Sequence, residues 1–122
     1  MESTFAIKAE ENLRAAEVLY EKAMYNASAN RAYYAALQAA VVALLKGGIR
    51  LERIDHEKVQ AQFSGKLIRR RKLYPGRLRS HLQDLQMVRD VADYRTGIVS
   101  RKRARRQLRR AREFVETVQQ ET

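Results

Sequence analysis

The sequence has no cysteine and no tryptophan, a single proline, five glycines and two histidines. Without cysteine there is no disulfide framework, no thiolate nucleophile and no cysteine-based zinc site. His56 and His81 lie too far apart in sequence for a metal motif, so no metal is expected. No apolar run approaches the roughly 20 residues that a membrane span needs. The opening MESTFAIKAEEN lacks the basic and apolar regions of a secretory signal, and a cytoplasmic location is therefore expected. There is no glycine-rich phosphate loop, no nucleophile elbow and no HExxH. Internal repeats and low-complexity tails are also lacking. So is any stretch of useful length that alternates apolar and polar residues, the pattern of a half-buried strand.

What is present is a chain of 122 residues, 45% apolar and 32% charged, the mixture of a globular protein. One domain over 1–122 is expected. A chain of this size removes roughly two-thirds of its unfolded surface from water, enough for a core without staples. The formal charge is +11 and it is unevenly placed. Residues 1–65 carry 8 basic and 8 acidic side chains, whereas residues 66–122 carry 17 basic and 6 acidic. Such a split points to a polyanionic partner, against the plainer reading of a solvated charged face.

Apolar residues recur at spacings of three and four. The first helix is expected from about Ser3 to Met24, with Phe5, Ala9, Leu13, Ala16, Tyr20 and Ala23 on one stripe. Asn26, Ser28 and Asn30 are expected to supply a turn and the N-cap of the second helix. That helix, about 29–46, is rich in alanine and apolar on several sides, the mark of a central helix. Gly47-Gly48 ends it. Asp55 is the expected N-cap of a short third helix, with a break at Ser64-Gly65. Residues 66–74 read as one more helical turn or as a basic loop. The fourth helix is expected from about Pro75 to Tyr94, with Leu78, Leu82, Leu85, Arg89 and Ala92 in line. Ser100 caps the fifth, running to about Gln119 on a seam of Ala104, Leu108, Ala111, Val115 and Val118. The expected fold is all-α: an antiparallel up-and-down bundle of four long helices plus one short helix.

Some residues break this pattern. Arg89 stands where an apolar residue belongs, with Asp93 one turn later as its natural partner. The pair reads either as a packing ion pair or as a cleft arginine that holds phosphate while Asp93 orients its fork. Arg31, beside Tyr34, is either a surface residue resting on that ring or a second cationic wall of the same cleft. Arg101, Lys102, Arg103, Arg105, Arg106, Arg109, Arg110 and Arg112 crowd the first half of the fifth helix, where cations oppose the helix dipole. Lys66, Arg69, Arg70, Arg71 and Lys72 form a second cluster. Both suit phosphate contact. A membrane reading of the fifth helix is weaker, because alanines make its apolar face shallow. His56 reads as a first-turn surface residue and His81 as lying off the leucine stripe.

Three stretches, in this order, carry a resemblance: Asn30-Arg31-Ala32-Tyr33-Tyr34-Ala35, Asp55-His56-Glu57-Lys58-Val59 and Arg89-Asp90-Val91-Ala92-Asp93-Tyr94. Together the sequence resembles small prokaryotic HEPN-domain proteins. The resemblance implies a helical bundle that dimerises, RNA or a nucleotide as ligand, and a small nucleotidyltransferase as partner. Many members are toxins or defence proteins that cleave RNA with its own 2′-hydroxyl as nucleophile, without a metal or other cofactor. Carried onto this sequence, Arg89 matches the family's active-site arginine, and Asp90 stands where a polar residue often follows. Tyr94 stands where the family's histidine falls. A tyrosine hydroxyl, with an ordinary pKa of about 10, makes a poor general base at neutral pH but can bond a phosphate or stack on a base. The sequence thus resembles a branch with an Arg-x-x-Ala-Asp-Tyr form. Arg89, Asp93 and Tyr94 are the implied reactive group. Arg31, Tyr34, Arg69, Arg70, Arg71, Arg101, Arg105 and Arg109 are the expected substrate-binding residues. Two function classes follow: a weak endoribonuclease, or a non-catalytic dimeric binding module. A basic protein that coats nucleic acid without sequence preference is a third.

Overall fold

The computed structural model describes residues 2–121; Met1 and Thr122, which the expected 1–122 domain included, lie outside the described residues. The alanines of the second helix dictate the arrangement. This helix, α2 (Tyr25–Lys46), buries Ala32, Ala35, Ala36, Ala39, Ala40 and Ala43, which let neighbouring backbones approach closely. On it pack α1 (Glu2–Glu21), α4 (Arg77–Tyr94) and α5 (Arg101–Gln120), with the short α3 (His56–Gln62) and the segment after it laid alongside. The long helices have 20, 22, 18 and 20 residues, and among the described residues there is no strand. Tyr33, Leu37, Phe63, Leu67, Leu78, Leu82, Leu85 and Phe114 are fully buried between these helices. Each such side chain contributes about 1.5–3 kcal/mol of transfer free energy. Among the described residues no helix is long and apolar enough to cross a membrane.

Four local expectations need correction. The turn between the first two helices is not built from Asn26, Ser28 and Asn30. It is closed earlier, at Ala23, whose φ of 61° stops α1 while Met24 N–H donates to the Leu19 carbonyl. The three polar residues therefore lie inside α2, and their side chains bond across the fold. Ser28 Oγ donates to the Ala16 carbonyl at 2.8 Å, and Asn26 Oδ1 accepts from Val99 N–H at 2.9 Å. Asn30 Nδ2 donates to Asp93 Oδ2 at 2.7 Å.

The helix does not break at Ser64-Gly65 either. It continues as a π-helical segment, Phe63–Arg70, because Phe63 and Leu67 are both anchored in the core. Lys72, at φ 54°, ends it. Finally, Arg89 does not occupy the buried line of α4. After Leu85 that line passes to Val88, which packs with Ala29, Val99 and Ala104 in a second small core. Arg89 is left at the edge of the core. Pro75 sits just before α4 rather than in its first turn. The caps by Asp55 and Ser100 form as expected, accepting from Lys58 N–H and Arg103 N–H.

Candidate functional site

Near its start α2 presents Asn30, Arg31, Tyr33 and Tyr34 on adjoining faces. The last turns of α4 bring Arg89, Asp90, Asp93 and Tyr94 against them. The second core and the Asn26–Val99 bond fix the connection after α4, so these two stretches meet in one register. Residue spacing does the rest: Arg89 and Asp93, four apart on a helix, face the same way.

The guanidinium of Arg89 is the centre. Its side chain is only 14% exposed. Nη2 donates to the Tyr34 hydroxyl at 2.7 Å and reaches the Tyr94 hydroxyl at 3.5 Å. Nη1 donates to Asp90 Oδ1 at 3.3 Å. Nε lies 3.2 Å from Asp93 Oδ2, but that pair is not aligned as a hydrogen bond. The rings of Tyr33, Tyr34 and Tyr94 surround the cation at 5.6, 5.3 and 5.2 Å from their centroids. Burial works against its charge, but the Tyr34 and Tyr94 hydroxyls and the Asp93 carboxylate outweigh it and hold its pKa above the usual arginine value.

Arg31 also lies over Tyr34, 5.0 Å from the ring centroid. Its Nε donates to Asn30 Oδ1 at 2.8 Å and its Nη1 to Asn12 Oδ1 at 3.0 Å. Asn30 in turn holds Asp93. A polar chain thus runs Arg31–Asn30–Asp93–Arg89, with Tyr34 packed beside both cations.

His56 also joins this group. It opens α3, as expected, but it is half-buried rather than a surface residue. Its ring packs against Tyr33 and edge-on to Tyr34 at 5.8 and 5.7 Å. Nδ1 lies 3.3 Å from the Tyr33 hydroxyl. Burial, and then the charge of Arg89, lower its pKa from the usual histidine value, while Asp55 pulls weakly the other way. Burial pushes the Tyr33 hydroxyl up to about 12. His56 and Tyr33 were missed as site residues by sequence reasoning. The signal was the Asp55-His56-Glu57 stretch, but the aperiodic chain from Gly48 to Asp55 gave no means of aiming it.

The expected binding residues divide. Arg31 and Tyr34 join Arg89, Asp93 and Tyr94. Arg69, Arg70 and Arg71 lie at the end of the π-helical segment, and Arg71 Nη1 donates to the Gly47 carbonyl at the end of α2 at 2.7 Å. Arg105 and Arg109 line a shallow groove between α5 and α1 with Arg112, Glu17 and Glu21. Arg101 is exposed at the start of α5, where the nearby Tyr20 hydroxyl raises its pKa. None of these is hydrogen-bonded or ion-paired to the Arg89 group among the described residues. His81 also lies apart: its Nε2 is 2.9 Å from Glu113 Oε1, beside the Arg77–Glu113 pair at 2.6 Å. Those two bonds, Arg77's first, lower the pKa of Glu113.

The chemistry open to this group is that of an oxyanion site. Two of the Arg89 contacts, to Asp90 and Tyr94, are long, and an oxyanion that approaches can replace them while Tyr34 and Asp93 keep the fork in place. Fold and site therefore define a small all-helical protein with a half-buried arginine framed by tyrosine rings and with basic flanks. A model of the HEPN domain matches residues 4–121, and the chain belongs to the HEPN family. No curated protein matches it.

Proposed function

We propose that the chain binds RNA or a nucleotide, with Arg89 as the phosphate clamp. Membership of the HEPN family, whose functions concern RNA and nucleotides, supports the class of ligand. The observation that carries the site is the Arg89 guanidinium, enclosed by three tyrosine rings yet anchored by only one short hydrogen bond, to Tyr34. In this reading Asp93 orients the fork, Tyr94 stacks on a base or bonds a phosphate, and Arg31 lines the cleft. Arg69, Arg70, Arg101, Arg105 and Arg109 track the RNA backbone on the flanks.

The reading extends to a single antiparallel up-and-down domain that works as a homodimer in the cytoplasm. It is paired with a small nucleotidyltransferase in a toxin–antitoxin or defence system. The exposure of Tyr94 (72%) and Ile98 (80%) at the cleft end supports a second copy there. Catalysis, where it occurs, is metal-independent scission of RNA by its 2′-hydroxyl.

The test is incubation of end-labelled RNA with the purified protein in EDTA, beside Arg89→Ala. Cleavage by the wild type and not by the variant assigns a ribonuclease that uses Arg89. Retained RNA without cleavage, weakened in the variant, assigns a binding module. Failure of the wild type to bind either RNA or a nucleotide overturns the proposal.

A further inference from the structure

We infer that His56 is a phosphate ligand locked in one neutral tautomer, with its Nε2–H offered to an anionic oxygen beside Arg89. The inference rests on the cleft reading above and adds a second donor to it.

The lock is a chain of hydrogen bonds that starts on α4. Gln60 Nε2 donates to Gln86 Oε1 at 2.7 Å and to the Tyr33 hydroxyl oxygen at 3.3 Å. The Tyr33 oxygen therefore receives a hydrogen and has its own to give. The acceptor within reach is His56 Nδ1, also at 3.3 Å. A neutral imidazole whose Nδ1 accepts must carry its proton on Nε2. Among the described residues nothing takes that proton. The groups facing the ring agree. Tyr33, from α2, stays protonated because burial pushes its pKa up to about 12, so it remains a donor. Arg89, from α4, disfavours a second positive charge, as does burial of the ring. Tyr34 offers only its ring edge. Asp90, also from α4, is engaged by Arg89, and Asp55, at the start of α3, bonds Lys58 N–H.

His56 and Arg89 share Tyr34 as neighbour, so the imidazole and the guanidinium both lie against one ring. A phosphate group takes donors of both kinds. A neutral donor has one functional consequence: binding does not need acid. An imidazolium would give an affinity that climbs as pH falls through about 6.5, whereas a fixed N–H gives a flat profile there.

Two measurements test this on the full chain. Imidazole nitrogen shifts of the 15N-labelled protein read the tautomer directly; His56 is expected as the Nε2–H form, and the Nδ1–H form or the imidazolium at neutral pH overturns the lock. Binding of a fluorescent single-stranded RNA and of ATP is then measured from about pH 5.5 to 8.5. His56→Ala is expected to weaken binding by about tenfold, the loss of one hydrogen bond to a charged group. His56→Gln, whose amide nitrogen reaches the Nε2 position, should stay within about threefold of wild type. An effect on RNA alone assigns the phosphate to a nucleic-acid backbone, and one on both probes to phosphate in general. Should His56→Gln be as weak as His56→Ala while wild-type affinity climbs in acid, the ligand is an imidazolium and the inference falls. If His56→Ala binds like wild type while Arg89→Ala is weak, His56 is no ligand and the cleft stands. If both variants bind like wild type, the cleft reading itself falls. Arg89→Lys, which keeps the charge, replaces Arg89→Ala if the latter does not fold.

Discussion

The Arg89 cluster and the outer face of α5 are both rich in arginine contacts or charge, yet they treat charge in opposite ways. Arg89 is mostly buried, contacts five side chains and is ringed by tyrosines. Along α5, Arg101, Lys102, Arg105, Arg106 and Arg109 stand in water, while Arg110 turns to Asp84 and Arg112 reaches Glu17 at 3.6 Å. A fixed guanidinium presents its donors in one geometry and can choose among ligands. A row of solvated cations raises affinity for any polyanion and loses it to salt. Net charge speaks of the second site and says nothing of the first.

Substitutions in each cluster separate the two ways of holding charge. The largest effect is expected from Tyr94→His, which, if the resemblance aligns Tyr94 with the family's histidine, puts an imidazole beside the Arg89 fork. Metal-independent cleavage of RNA should rise by about a hundredfold, the scale of general acid–base catalysis. Unchanged cleavage with an intact fold would mean that Tyr94 is not that position. Next comes reversal of charge on α5. Arg105→Glu with Arg109→Glu should weaken RNA binding by about tenfold or more at low salt and flatten the salt slope by about two. Arg89→Lys, by contrast, should leave the slope unchanged and cost affinity through loss of the fork. Equal slopes for the two variants would erase the distinction between the sites.

The smallest effect lies at the other end of α4, where Arg77 and His81 meet Glu113 of α5. The Glu113 pKa is lowered by Arg77 and His81, so its contribution to stability is present above the unfolded carboxylate value of about 4.5 and is lost as pH falls through the lower, folded value. Glu113→Gln should therefore lower the melting temperature slightly at neutral pH, and the deficit should fade as the pH drops through the lowered carboxyl value. A deficit that persists in acid would point to packing instead of charge.

What could be read in advance was whatever is local. The stripe of Phe5, Ala9, Leu13 and Ala16, the caps at Asp55 and Ser100, and the Arg89–Asp93 pair all involve residues three or four apart. Asn26, Ser28 and Asn30 look like capping residues by the same logic, and their partners lie 73, 12 and 63 positions away. A polar side chain near a helix start does not announce whether it serves its own backbone or a distant helix. Gly65 illustrates the same limit, since the burial of Phe63 and Leu67 outweighs a weak local former. Of the candidate site, the α2 and α4 halves were legible and the α3 contribution was not.

The alanines of α2 have a consequence for how this protein can change over generations. A helix that meets its neighbours through methyl groups has almost nothing to give up. Enlarging Ala36 or Ala40, both fully buried, overpacks the centre at about 1–3 kcal/mol, and replacing either with glycine loosens the helix by about 1 kcal/mol. Drift is blocked in both directions along this axis. Innovation is pushed outward, to the rims where Arg31, Tyr94 and the α5 cations stand, so a lineage can trade one ligand for another while its interior stays still.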